Sequence, residues 1–213
     1  MKNVLIVGAG RFGRYTAMKL NELGHEIFAI DKSEDRINRI LPYVTDAQIG
    51  DSTSEDFLRS LGISDFDLCI VAIGDDFLSS LETTALLEEL GAKKIISRAT
   101  SGKQERFLKK NGADAVIFPE RQIGQWTAVL YSSDTISNYV DLKDGYSVFE
   151  VSVPEAWDGR KVGELDVRRK YSINLLMVQD ENSSMDITKD TVLHKGQTLI
   201  VLGKHEVLEK MFC

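Results

Sequence analysis

The chain has 213 residues, 43% hydrophobic and 28% charged, the composition of a globular protein long enough to bury a sizeable core. Its 33 acidic and 26 basic side chains give a formal net charge of −7, which disfavours nucleic acid as a partner because a phosphate backbone needs a basic face. The two cysteines, Cys69 and Cys213, offer no metal-ligand or disulfide spacing and fit a reducing compartment. No stretch approaches the roughly 20 apolar residues needed to span a bilayer.

In chain order, residues 4–7 form an apolar run that stops at Gly8 and leads into a glycine motif, so they read as a strand and not as the start of a signal peptide. Further apolar runs at 27–30, 68–73, 94–97 and 115–118, with a weaker mixed run at 44–49, predict more strands. Helical patterns fill the gaps at 11–23, 52–61, 77–90 and 103–111, and Gly24, Gly62, Gly91 and Gly112 stand where helices should stop. Strands rich in Val and Ile without polar alternation are buried on both faces, which means a parallel sheet covered by helices. The repeated strand–helix units predict an α/β fold, a Rossmann-type doubly wound parallel sheet.

The rhythm changes after Pro119. A long helical stretch runs to about residue 133, and an alternating segment follows at 146–154. Then come a short helical piece at 163–171, brief strands at 174–178, 191–193 and 197–202, and a closing helix at 205–212. This predicts a smaller C-terminal α+β domain over 134–213, after a nucleotide-binding domain over 1–133 that includes the long helix.

Gly8-Ala9-Gly10-Arg11-Phe12-Gly13 joins the first strand to the first helix. In this context Gly8 permits the turn, Gly10 lets backbone approach phosphate, and Gly13 lets helix and strand pack closely. Phosphate then meets free N–H groups at a helix N-terminus. Asp31 ends the second strand, where a carboxylate accepts from ribose hydroxyls and repels a 2′-phosphate. NADP is thereby disfavoured, and ATP, ADP, AMP and NAD(H) stay open. Lys32 follows as a further candidate contact. Asp51, with Ser52 beside it after the third strand, either accepts from an adenine amino group or caps the helix at 52–61. Ala72-Ile73-Gly74 ends the fourth strand at the switch-point crevice, where small residues leave room for ligand, while Asp75 and Asp76 read as caps. Arg11 places a guanidinium beside the phosphate position, and Arg98 ends the fifth strand on the same edge.

An oxidoreductase would also need an acid or base beside the nicotinamide. His194 is the one distinctive candidate after residue 134, in the hairpin-like run His194-Lys195-Gly196-Gln197, and no triad or metal-ligand spacing emerges. The chain therefore reads as a binding protein and not an enzyme. The alternative is a small NAD-dependent oxidoreductase or an NAD(H)/redox sensor.

The motif at 8–13, Asp31, Gly50-Asp51, Val71-Ala72-Ile73-Gly74 and the run Gly112-Ala113-Asp114-Ala115-Val116-Ile117-Phe118-Pro119-Glu120 resemble an RCK domain, a regulator of potassium conductance. Val140-Asp141-Leu142, Gly163-Glu164-Leu165-Asp166 and His194-Lys195-Gly196 extend the likeness into the C-terminal part. The whole is similar to the TrkA-N plus TrkA-C regulatory subunits of Trk/Ktr-type potassium uptake systems. The resemblance implies a cytoplasmic gating subunit, peripheral to the inner face of the membrane, assembled from dimers into an octameric ring under a potassium transporter. It implies ATP/ADP or NAD(H) as ligand, with Arg11 reaching the phosphates. It also brings Glu120 to them, where a bridging Mg or Ca ion would relieve the repulsion. Some members of the family bind cyclic di-AMP through an Asp-x-Arg, five residues, Asn and two aliphatics, and Asp166, Arg168, Asn174 and Leu175-Leu176 fit that pattern. Val162-Gly163, where the pattern has an aliphatic pair, departs from it.

Overall fold

The computed structural model describes residues 1–180 and 183–213 and resolves into two compact units, Met1–Arg121 and Gln122–Cys213. In the first, β1 (Asn3–Val7), α1 (Arg11–Glu22), β2 (Glu26–Asp31), α2 (Glu34–Ile40), β3 (Asp46–Ile49), α3 (Glu55–Ser60), β4 (Leu68–Val71), α4 (Phe77–Glu89), β5 (Ile95–Arg98), α5 (Gly102–Lys110) and β6 (Ala115–Ile117) alternate as the sequence predicts. α6 (Pro119–Leu130) follows and carries the chain into the second unit, whereas the sequence pattern draws the boundary at its end.

The six strands pair in the order β3-β2-β1-β4-β5-β6, all parallel. Side chains of a strand alternate between faces, and here both faces are apolar. Val4, Ile6, Ile27, Ala29 and Ile70 pack on one side with Ala17, Ile37 and Ile40 from α1 and α2. Leu5, Val7, Ile30, Cys69 and Val71 pack on the other with Leu58 of α3 and Leu87 of α4. Each fully buried aliphatic side chain contributes about 1.5–3 kcal/mol, so the doubly covered sheet dominates the unit's stability. Ser33, Ser54, Asp76 and Ser101 cap helices with side-chain oxygens, and the four glycines expected at helix ends take φ between 66° and 99°.

In the second unit β7 (Ile136–Asp141), β8 (Tyr146–Ser152), α7 (Val162–Leu165), α8 (Val167–Tyr171), β9 (Asn174–Asp180), β10 (Ser183–Asp186), β11 (Thr198–Lys204) and α9 (His205–Phe212) build an antiparallel sheet in the order β10-β9-β11-β8-β7. Phe149, Val151, Val178, Leu199 and Val201 form its core with Leu208 and Phe212 of α9.

Three expectations change. The helix expected from Ser52 starts only at Glu55, capped by Ser54, so Asp51 is not its cap. The strand expected at 191–193 is reduced to a single bridge between Lys161 and Val192. β7 and β10 were not foreseen. In β7 a register shift between Ile136 and Asn138 breaks the two-residue period, leaving only Ile136 and Tyr139 buried.

Candidate functional site

All six parallel strands end at one edge, and each delivers part of the predicted site there. After β1, Gly8 takes φ 99° and donates its N–H to the Ile30 carbonyl at 2.8 Å. A Cβ on Gly13 would lie 2.0 Å from the Gly8 carbonyl oxygen, so only glycine lets α1 approach this closely. A Cβ on Gly10 would meet nothing within 4 Å. The space over Gly10 is open, and no side chain caps the N-terminus of α1. Its amides are left for an acceptor from outside the helix.

Asp31 ends β2 with its side chain only 6% exposed. Its Oδ2 accepts from the Ala9 N–H at 2.8 Å and its Oδ1 from the Ser33 N–H at 2.9 Å, with Arg36 Nη1 3.6 Å away. The carboxylate therefore also fastens the glycine loop, a role that spacing alone did not reveal. Each oxygen retains a lone pair for a ribose hydroxyl.

Lys32 Nζ pairs with Asp51 Oδ1 at 3.1 Å over the ends of β2 and β3. Asp51 also accepts from the Thr53 hydroxyl at 2.7 Å and the Thr53 N–H at 2.9 Å. These hydrogen bonds, assisted by Lys32, hold its carboxyl below the ordinary value. Ser52 is buried and its Oγ shares a hydrogen bond with Thr83 Oγ1 at 2.8 Å, so its hydroxyl packs the loop on α4. Asp76, of the two adjacent acids, caps α4, accepting from the Ser79 N–H at 3.1 Å.

After β4, the Ala72 N–H donates to the Val7 carbonyl at 2.7 Å, leaving Ile73 and Gly74 at the crevice. A Cβ on Gly74 would stand 2.2 Å from Arg98 Nη1, so the missing side chain makes room for that guanidinium. Arg98 lies 5.7 Å from the centroid of the Phe12 ring, and its Nη2 pairs with Glu120 Oε1. Its Nε is buried without a partner among the described residues. Glu120, in the first turn of α6, is held below its ordinary pKa by its own backbone N–H, by Arg98 and by the charge of Arg11. Arg11 itself is exposed on the first turn of α1. Sequence reasoning named Arg98 and Glu120 separately and missed that they pair. Glu120, expected to share a cation with the phosphates, has Arg98 as its partner here, and no group of three His, Cys, Asp or Glu is placed to hold a metal ion by itself among the described residues.

The open space at Gly10 and the uncapped amides of α1 fit an anionic nucleotide lying along this edge. The residues of the second predicted ligand set lie at the α7–α8 junction, in α8 and at the start of β9. Asp166 sits at the α7–α8 junction with φ 47°, and its nearest cation is Arg169, 3.9 Å away, not Arg168. Arg168 is exposed, while Asn174 and Leu175 open β9 half-buried.

His194 is exposed, with Nδ1 4.0 Å from Asp158. The structure does join Ser147, His205 and Asp141, which the sequence did not suggest. The Ser147 hydroxyl lies 2.7 Å from Asp141 Oδ1 and 2.8 Å from His205 Nδ1, and His205 Nε2 lies 3.1 Å from Glu209. Ser147 is fully buried, so this cluster ties α9 to the sheet and gives a substrate no access to the hydroxyl.

Comparison with known proteins matches residues 4–119 to the TrkA-N domain and residues 147–212 to the TrkA-C domain. The chain is 32% identical over 210 residues to the Ktr system potassium uptake protein A of Bacillus subtilis, covering 98% of this chain and 95% of that one. It is 35% identical over 203 residues to the Ktr system potassium uptake protein C of the same organism, covering 95% and 92%. Among solved structures, the GsuK channel bound to NAD superposes with a TM-score of 0.67 at 18% identity, a likeness of fold. It covers 97% of this chain, which spans 38% of that channel's length. No helix among the described residues is long and apolar enough to cross a membrane.

Proposed function

Because the chain belongs to the TrkA-N and TrkA-C family of Ktr and Trk potassium uptake proteins, we propose that it is a nucleotide-sensing regulatory subunit that controls potassium flux through a membrane partner. The observation that carries this reading is the convergence of the glycine loop, Asp31, Gly74, Arg98 and Glu120 on one edge of a parallel sheet. Ligands of open α/β sheets bind outside the carboxyl ends of the strands, at the point where strand order reverses. Here that point lies between β1 and β4, beside Gly8 and Ala72-Ile73-Gly74.

The ligand is an adenine nucleotide, ATP/ADP or NAD(H). Asp31 takes the ribose and the α1 amides take phosphate, while the carboxylate turns away a 2′-phosphate. Binding energy alters flux only where two states of the protein hold the ligand differently. The residues able to sense differences among ligands are Arg11, Arg98 and Glu120, which lie beyond the loop where distal phosphates emerge.

The subunit works as a homo-oligomer. α6 exposes Ile123 at 62% and Trp126 at 37%, and Tyr131 just beyond it at 79%, a set of large apolar groups that a second copy would cover. Cells lacking this chain should take up potassium slowly, and the wild-type chain should restore uptake while Gly10→Ala should not. Equal restoration by Gly10→Ala would separate nucleotide binding from flux and refute the reading.

A further inference from the structure

We propose that Thr83 is a positioning residue for the nucleotide base: through Ser52 it holds the loop that presents Asp51 Oδ2 to the exocyclic amine of adenine, and so sets a preference for adenine over guanine. The inference rests on the nucleotide reading above and adds which buried contact fixes the base end of the site.

A helix face turned to a core is ordinarily apolar. On α4, however, Ser79, Ser80, Thr83 and Thr84 make up four of the five buried positions, with Leu87 the fifth. Two of these hydroxyls reach other elements. Thr83 Oγ1 donates to the Ser52 carbonyl at 3.3 Å and lies 2.8 Å from Ser52 Oγ, so the Ser52 hydroxyl donates in return. Thr84 Oγ1 lies 2.9 Å from Ser97 Oγ in β5. Both threonines are fully buried, so neither acts on a ligand by contact.

Their partners differ in freedom. Ser97 sits in a strand paired on both sides, with Val71 of β4 and Val116 of β6. Ser52 sits in the loop at 50–54, whose other polar ties to the sheet are the Gly50 N–H on the Asp31 carbonyl and the Lys32–Asp51 ion pair. Without the Thr83 hydroxyl, Ser52 Oγ would be buried and unpaired, a cost that the loop relieves by shifting until water reaches it. A strand held by two ladders cannot shift in that way.

Asp51 adjoins Ser52 and is used on one side only. Lys32 Nζ, the Thr53 hydroxyl and the Thr53 N–H all meet Oδ1. Oδ2 accepts from no donor among the described residues, and the side chain is half exposed. Adenine carries an amine at C6, which donates to a carboxylate, whereas guanine carries a carbonyl oxygen there, which a carboxylate repels. That discrimination depends on where Oδ2 is held, and the Ser52–Thr83 contact holds it.

The test titrates the full chain calorimetrically with ADP, the moiety that ATP and NAD(H) share, and with GDP. Wild type should prefer ADP by about tenfold or more, the scale of one charge-assisted hydrogen bond, and Thr83→Val should bring the two within about twofold. Thr83→Ser keeps the hydroxyl and should keep the preference. Thr84→Val removes the neighbouring buried hydroxyl; it should melt lower than wild type and also keep the preference. A Thr83→Val protein that still prefers ADP as wild type does would overturn the proposal. So would an equal loss of preference in Thr84→Val, because any buried defect in α4 would then suffice. If Thr83→Val does not fold, Ser52→Ala breaks the same contact from the loop side, and an unchanged preference there overturns the proposal equally. Wild type that binds ADP and GDP alike would remove the base preference and leave nucleotide binding standing, whereas wild type that binds neither would remove the nucleotide reading itself.

Discussion

Two glycines three residues apart in the loop should fail in opposite ways. Placing a Cβ on Gly13 brings it 2.0 Å from the Gly8 carbonyl oxygen, 3.2 Å from the Gly8 carbonyl carbon and 3.3 Å from Ala72 Cβ. Carbon–oxygen contacts settle near about 3.3 Å, so α1 must lift from β1 by roughly 1.3 Å. Overpacking of this kind costs up to about 3 kcal/mol when the neighbour is backbone and cannot turn aside. Replacing glycine in a helix returns at most about 1 kcal/mol. The net loss for Gly13→Ala is about 2 kcal/mol, or roughly 4–8 °C in the melting temperature of a chain this size. Gly10→Ala meets nothing within 4 Å, and its φ of −66° suits any residue, so its melting temperature should match wild type while nucleotide binding is lost. Calorimetric melting and nucleotide titration of both variants read the two effects separately. A Gly13→Ala protein as stable as wild type, or a Gly10→Ala protein with full affinity, would refute the reasoning.

Asp31→Ala should lower both stability and affinity, because it removes the Ala9 tether as well as the ribose acceptor. Loss of a charge-assisted hydrogen bond should weaken nucleotide binding by about 1.5–3 kcal/mol, and a variant with wild-type melting would show that the tether is idle. Cys69 is buried and its thiol is pushed up to about 12, so iodoacetamide at neutral pH should label only Cys213 in the folded chain and both in denaturant; mass spectrometry of the labelled protein decides it. The Glu120 carboxyl is held below its ordinary value, so its pairing with Arg98 is complete above the unperturbed glutamate pKa of about 4.3 and is lost as pH falls through the lowered value. Carbon NMR of the Glu120 carboxyl should follow that titration, and Arg98→Gln should move it upward. Light scattering should give a mass well above the 23.8 kDa of one chain, and Trp126→Glu should lower it.

The parallel sheet was legible because its signal is redundant. Val4, Leu5, Ile6 and Val7 are apolar on both faces, and the same holds for β2 and β4, so no register error could hide the pattern. Helix ends were legible because Gly24, Gly62, Gly91 and Gly112 need a left-handed backbone. The candidate site was legible residue by residue, since each strand end carries its own marker. The connections between those residues were not. Asp31 to Ala9, Lys32 to Asp51, Ser52 to Thr83 and Arg98 to Glu120 join different elements, and no sequence spacing encodes a contact made across a sheet. β7 escaped because its bulge erases the alternation, and the Ser147–His205–Asp141 cluster because its members come from three separate elements.

The proposed function depends on an adenine nucleotide lying along the carboxyl edge of the parallel sheet, with its phosphates over Gly10. Isothermal titration of the full chain with ATP, ADP and NADH, beside Gly10→Ala, tests it most directly. Wild-type protein should bind at least one of the three saturably, and a Gly10→Ala protein that melts normally should bind none of them. Absence of binding by all three to wild type, or equal binding by the variant, would contradict it.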